Sequence, residues 1–472
     1  MKKHNLLKVL MITFLIVAVL SWIIPLGSFT EGKFESIGTM PVGLTDLFRM
    51  PVITFGTFVS YGVLFLMIGA LYGILGKTGV YDKCIDKIVK KFKSSKKTFL
   101  FGTVIVLALL GSLTGLSTLL FVFVPFLAAI LLLMGYSKIV ALSSTVGSIL
   151  VGTIGSTYGF SGSGYVINQF SLSINDSIIA KFVLLAVVTA LFIIFIGSKI
   201  KKPKGTKKTE ALEEKEILFY NAGATSKKSS LPFILITIVF VIFAFVGMYN
   251  WYYALGIDFF QNMHTQIVDF TIKGYPIFGN LLGGFTQLGF WGTYDLAVCI
   301  FIFTVLISWL YNIKVSEYID GFKTGAKKML PVAFYAVLAN IIFTVILNIG
   351  DTASMPMTIA DFIANGTTKF NVAIVTLISL VGSLFYNDFY YVLQNVTTSF
   401  QTYEAVFLPV AGILIQAIYS LCMLFLPTSV ILIAGLKYFD ISYNEWMKHI
   451  WKYVLQIFAI IMIIVVILVM FI

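Results

Sequence analysis

The residues of this chain that could do chemistry are small and polar, and they stand inside apolar sequence. The first group is Gly111-Ser-Leu-Thr-Gly-Leu-Ser117, followed by Gly152-Thr-Ile-Gly-Ser-Thr-Tyr-Gly-Phe-Ser-Gly-Ser-Gly164. The second is Gly382-Ser-Leu-Phe-Tyr-Asn-Asp388, followed by Leu426-Pro-Thr-Ser429. Hydroxyls and the free N–H groups of helix N-termini suit a carboxylate, while exposed carbonyls and a side-chain carboxylate suit a cation. This is the chemistry of binding, not of bond making. No His-Glu-x-x-His, Walker loop or Rossmann glycine pattern is present, and no nucleophile–base pair stands at matching depth. The chain therefore reads as no enzyme, and not as an ATP-driven pump on its own.

The candidates follow from position. Ser112, Thr114 and Ser117 would bring substrate contacts from the first tip, and Ser383 and Asn387 from the second. Ser156, Thr157, Thr428 and Ser429 would add contacts from the later breaks, and Asn340 from mid-span. Asp388 is the acidic residue at a tip and is the candidate for a coupling ion, Na⁺ or H⁺, because a carboxylate at membrane depth is a functional hypothesis by default. Each has a plainer reading. Small residues also let helices pack closely, as Gly69-Ala-Leu-Tyr-Gly73 would. Asp388 could stand solvated at an interface, and Asn340 could be interhelical glue. Phe385, Tyr386, Phe389, Tyr390 and Tyr391 read as an interfacial aromatic belt.

The elements that must carry these residues are membrane helices. Of 472 residues, 59% are hydrophobic and 11% charged, against about 25% charged in soluble domains. The expected fold class is an all-α polytopic membrane protein of about nine spans, multi-pass in the cell membrane. The net charge of +12 comes from lysine clusters between spans, as cytoplasmic loops require, and does not indicate nucleic acid. Three cysteines and three histidines are scattered, so no disulfide framework, metal site or cofactor is expected.

Spans are expected at about 6–26, 52–76, 138–164, 178–198, 231–249, 291–312, 329–348, 405–436 and 450–472. Residues 98–134 and 371–402 are too short or too interrupted for two full crossings, and read as re-entrant hairpins, entered from inside and outside respectively. The Lys-rich loop 199–230 divides a first half, 1–198, from a second, 231–472. With 77–97 it is expected to be cytoplasmic. The order span, hairpin, broken span, span occurs in both halves with opposite direction, which is an inverted-topology repeat with two broken helices. One local similarity, between 68–91 and 305–328, does not correspond within that scheme.

The chain resembles the anaerobic four-carbon-dicarboxylate carrier and YfcC-type group of the ion transporter superfamily. The resemblance rests on Gly73-Ile-Leu-Gly-Lys-Thr-Gly79 with Asp82, Gly111-Ser-Leu-Thr-Gly-Leu116, Tyr318-Ile-Asp-Gly-Phe322 before Met329-Leu-Pro-Val-Ala333, and Leu426-Pro-Thr-Ser429 with Tyr443-Asn-Glu-Trp446. It implies a secondary transporter of dicarboxylates, amino acids or small peptides, dimeric and of elevator type. The chain departs from the family's pattern at Ser117-Thr118, Ala339-Asn-Ile341 and Leu384-Phe-Tyr-Asn-Asp388. The expected function is secondary active transport of a small carboxylate-containing anion or amino acid, by symport or antiport. The alternatives are a channel and a membrane-embedded enzyme or lipid-handling protein.

Overall fold

The structure is a computed structural model that describes residues 5–30, 33–200, 217–221, 228–350, 353–364, 369–397 and 404–472. Apolar runs become helices because every backbone polar group in a bilayer must be satisfied within its own segment. Among the described residues nine helices are long and apolar enough to span. They are not quite the expected nine. Lys96–Thr114, the first arm of the inner hairpin, belongs to the set, whereas Lys138–Ile154 is a shorter apolar helix outside it. The span expected over 138–164 stops early because the chain leaves helical geometry at Gly155. It resumes as one wide, π-helical turn at Phe160–Gly164 and the short helix Tyr165–Phe170.

The span expected over 405–436 is likewise two helices, Leu408–Met423 and Val430–Tyr438, with Pro427 in the gap. The span expected over 329–348 is the upper part of a longer one, Val315–Ile349. That expected over 52–76 begins as a separate helix, Leu44–Thr57, before Val59–Thr78. Residues after the first span, expected as loop, contain a two-stranded ribbon in which Leu26–Thr30 pairs antiparallel with Lys33–Gly38.

Both interrupted segments double back. Lys96 Nζ, at the start of the first hairpin, donates to Met134 O at 2.7 Å, at its end. Gly115 makes the reversal with φ +70, and a Cβ there would stand 2.6 Å from Ser161 Oγ. In the second, Phe370 stacks on Phe407 with ring centroids 5.0 Å apart, so the ends of the intervening segment meet. Residues 398–402 of that hairpin lie outside the described residues.

Val59–Thr78 and Val315–Leu338 cross at glycines. A Cβ on Gly73 would lie 2.1 Å from Gly321 O, and one on Gly325 2.1 Å from Gly69 O. The pairing runs in opposite directions along the two helices, so they are antiparallel. Lys77 and Asp320 close the crossing at 2.6 Å. The two stretches that look alike in sequence, 68–91 and 305–328, thus meet each other. Ile217–Asn221, a described stretch within the Lys-rich loop, docks beside this crossing. Asn221 N donates to Asp82 Oδ1 at 3.0 Å and Tyr220 OH to Asp86 Oδ1 at 2.8 Å.

Gly325→Leu should destabilise the fold by about 1–3 kcal/mol, the usual cost of overpacking, and lower the melting temperature of the purified protein. Gly102→Ala, where nothing lies within 4 Å of the added carbon, should leave it near the native value. Equal melting temperatures for the two variants would contradict a tight crossing.

Candidate functional site

A helix that stops inside the apolar layer leaves carbonyls and N–H groups without intrahelical partners. At the first break these groups turn to the first hairpin. Ser112 Oγ donates to Gly155 O at 2.6 Å, lies 3.1 Å from Thr157 Oγ1, and accepts from Thr157 N at 3.2 Å. Ser112 O accepts from Gly159 N at 3.0 Å. The carbonyls that end Ser148–Ile154 turn to the second half. Gln416 Nε2 donates to Thr153 O and, at 3.3 Å, to Ile154 O, while Ser420 Oγ donates to Thr153 O at 3.1 Å.

The second break repeats the device with different residues. Asn387, at the tip of the second hairpin, donates through Nδ2 to Thr428 O at 3.2 Å and to Asn340 Oδ1 at 2.7 Å. Its own carbonyl accepts from Tyr419 OH at 2.6 Å. Ser429 caps Val430–Tyr438, its Oγ accepting from Leu432 N. Asp388 caps Phe389–Val396, its Oδ1 accepting from Tyr390 N at 3.0 Å.

Both tips and both breaks open onto one cavity of about 280 Å³, near the lower end of small-ligand sites, about 300–1,000 Å³. Five of the expected residues line it: Ser117, Ser156, Asn387, Asp388 and Ser429. The others stand behind its wall. Ser112, Thr157 and Asn340 hold the tips and breaks together, as described above. Thr114 Oγ1 donates to Leu110 O and accepts from Leu116 N, closing the tip on itself. Ser383 Oγ donates to Ser379 O within its own helix. Thr428 presents its carbonyl to Asn387, and its hydroxyl is buried with no hydrogen-bond partner among the described residues.

The cavity also uses residues that the sequence reading passed over. Gln416, Tyr419 and Ser420 project from one face of Leu408–Met423, and Tyr61, Thr118, Thr153, Ser161, Tyr165 and Thr293 add to the polar lining. The signal for the first three was available, as glutamine at i with tyrosine and serine at i+3 and i+4 marks one face of an apolar helix. Lys181 gave no such signal. The residue is 5% exposed, and its ammonium donates to Ser163 Oγ at 2.6 Å, beyond the first break.

The electrostatics are asymmetric. Among the described residues Asp388 is the one charged group that lines the cavity. It stands at the second tip in the company of Tyr61, Tyr165 and Tyr419. The hydroxyls of Ser117, Thr118 and Ser161 line the cavity as well, and Lys181 is buried against Ser163, two residues beyond Ser161. The N-terminal end of Val430–Tyr438 also faces the space through Ser429, Val430 and Ile431.

Ser112→Ala should remove several of these hydrogen bonds at once and strand Gly155 O in an apolar layer. Each is worth about 0.5–1.5 kcal/mol, so the melting temperature should fall together with transport. Ser383→Ala, whose hydroxyl donates within its own helix and meets the Cys422 thiol, should do neither to the same extent. Transport lost in Ser112→Ala with an unchanged melting temperature would make Ser112 a substrate contact instead.

A profile of the C4-dicarboxylate anaerobic carrier family matches residues 4–390, which includes both hairpin tips and the first break. No curated protein matches the chain. Among solved structures, the Alcanivorax borkumensis YdaH transporter, described as having an unusual topology, aligns over 99% of this chain and 98% of its own, at 13% identity and a TM-score of 0.39. The family match is the one that carries weight: the chain belongs to the C4-dicarboxylate anaerobic carrier family, and is a multi-pass cell-membrane carrier, not an enzyme.

Proposed function

We propose that the shared cavity holds a small carboxylate-containing substrate together with a coupling cation, and that the protein is a cation-coupled secondary transporter. The observation that carries this reading is the cavity's single lining charge, the Asp388 carboxylate. Two like charges about 5 Å apart at an effective dielectric near 20 repel by about 3 kcal/mol. A dicarboxylate entering beside Asp388 must therefore bring positive charge with it. Na⁺ or H⁺ at Asp388 would supply that charge. The substrate's carboxylates would face the hydroxyls of Ser117 and Ser161, the capped N-terminus after Ser429, and the field of Lys181.

A second reading rests on the same carboxylate. An amino acid carries its own ammonium, which could take the cation's place at Asp388. For alternating access, the hairpins and broken helices would move as one body past the glycine crossing of Val59–Thr78 and Val315–Leu338. This is the elevator motion, and in this reading two copies pair through the stationary part. The inverted relation of residues 1–198 and 231–472 would supply the two end states.

The test is uptake into proteoliposomes under imposed Na⁺ or H⁺ gradients. The native protein should accumulate a C4-dicarboxylate under one of them, with saturation. Asp388→Asn should lower that accumulation at least about tenfold, a loss of about 1.4 kcal/mol, while substrate exchange across the membrane persists. Saturable uptake of labelled amino acid into vesicles preloaded with the unlabelled amino acid, without any gradient of Na⁺ or H⁺ and with no such uptake of a C4-dicarboxylate, would select the second reading. Normal gradient-driven accumulation by Asp388→Asn would remove Asp388 from coupling.

A further inference from the structure

The geometry points to a binding site for one anionic phospholipid, separate from the substrate cavity. A second cavity, about 400 Å³, lies between the end of Val59–Thr78, the helix Val80–Lys91, the return arm of the first hairpin and Leu231–Met248. It shares no lining residue with the substrate cavity. Its walls are apolar: Leu71 and Leu75, Val122 and Phe126, Phe233 and Phe240. Ile234 and Ile238 line it as well, and they are 46% and 49% exposed on a helix whose neighbouring apolar residues also face outward. The cavity is therefore walled toward the bilayer by a lipid-facing helix, and an acyl chain is the occupant that the bilayer offers to such a space.

The rim selects the headgroup. Lys87 stands on the cavity's edge beside Cys84 and Ser230, and is itself exposed. Among the described residues the ion pairs are Lys77 with Asp320 and Lys437 with Asp440, so Lys87 has no acidic partner there. Lys90 and Lys91 follow on the same helix, three and four residues on, and both are exposed. A phosphate at the rim would meet this lysine face while one tail of the same lipid fills the cavity. Anionic lipid is drawn to such juxtamembrane lysines. An occupant would also brace the first hairpin, because Val122, Phe123 and Phe126 lie a few residues beyond Ser117 and Thr118, which line the substrate cavity. Tyr72, another wall residue, already ties that arm by donating to Val122 O at 2.7 Å.

The purified full-length protein, exchanged into an equal mixture of phosphatidylglycerol and phosphatidylcholine, should retain phosphatidylglycerol preferentially in native mass spectrometry. Lys87→Gln should reduce that preference roughly fivefold, the worth of one lysine near an anionic surface, and Lys87→Arg should keep it. Thr237→Trp, which places an indole in the cavity, should reduce retention of both lipids. Lys87 is exposed, so its two variants decide the question even if the tryptophan variant does not fold. Equal retention of the two lipids by the native protein would overturn the site. So would an undiminished preference in Lys87→Gln.

Discussion

The structure depends on one constraint: a backbone broken inside the apolar layer has no water to satisfy it. Two breaks, after Ile154 and after Met423, create this debt, and each is settled by the tip of the hairpin from its own half. Ser112 serves the first break through its hydroxyl and its carbonyl. Asn387 serves the second through its side-chain amide. What remains is covered by the last helix or by the opposite half. Trp446 Nε1 donates to Leu424 O at 2.8 Å, and Gln416 and Ser420 reach across to Thr153.

Satisfying the breaks in this way also fixes where the hairpins sit. A tip hydrogen-bonded to a break cannot slide along it without exposing carbonyls, so tip and break form a unit with few alternative positions. The Ala108–Gly111 stretch presses against Ile149 and Gly152 so closely that a Cβ on Gly152 would lie 2.1 Å from Ala108 O. The second contact surface is of another kind. Val59–Thr78 and Val315–Leu338 approach through glycines, of which Gly73 and Gly325 meet backbone atoms of the other helix, and in lipid such close packing replaces the hydrophobic effect as the adhesive between helices. The fold thus holds its polar interior by hydrogen bonds and the crossing beside it by shape.

Much of this was legible in the residues. Glycine, serine and proline inside apolar runs located both breaks and both tips, because intact spans have no use for them in such number. Side-chain direction was not. Ser112 and Ser117 lie five positions apart in one tip, yet one closes the backbone and the other faces the cavity. Sequence gives depth along the segment, while the turn at Gly115 decides the facing. Thr428 and Ser429 differ in the same way. Lys181 was hidden because a lysine in the first turn of a span ordinarily reaches the interface, whereas here it folds inward to Ser163. Gln416, Tyr419 and Ser420 were overlooked although their spacing put them on one face. The strands Leu26–Thr30 and Lys33–Gly38 were hidden because their short runs lack a strong apolar alternation.

The central claim is that two tips from opposite halves enclose one substrate. Substrate protection of single cysteines tests it most directly. On a cysteine-free background, Ser117→Cys and Ser429→Cys should both react with a small soluble thiol reagent in proteoliposomes. A transported C4-dicarboxylate should protect both, with the same half-protecting concentration, and a cysteine at Ser171, beyond the first break, should react unchanged. Protection of one position without the other, at saturating substrate, would contradict a shared site.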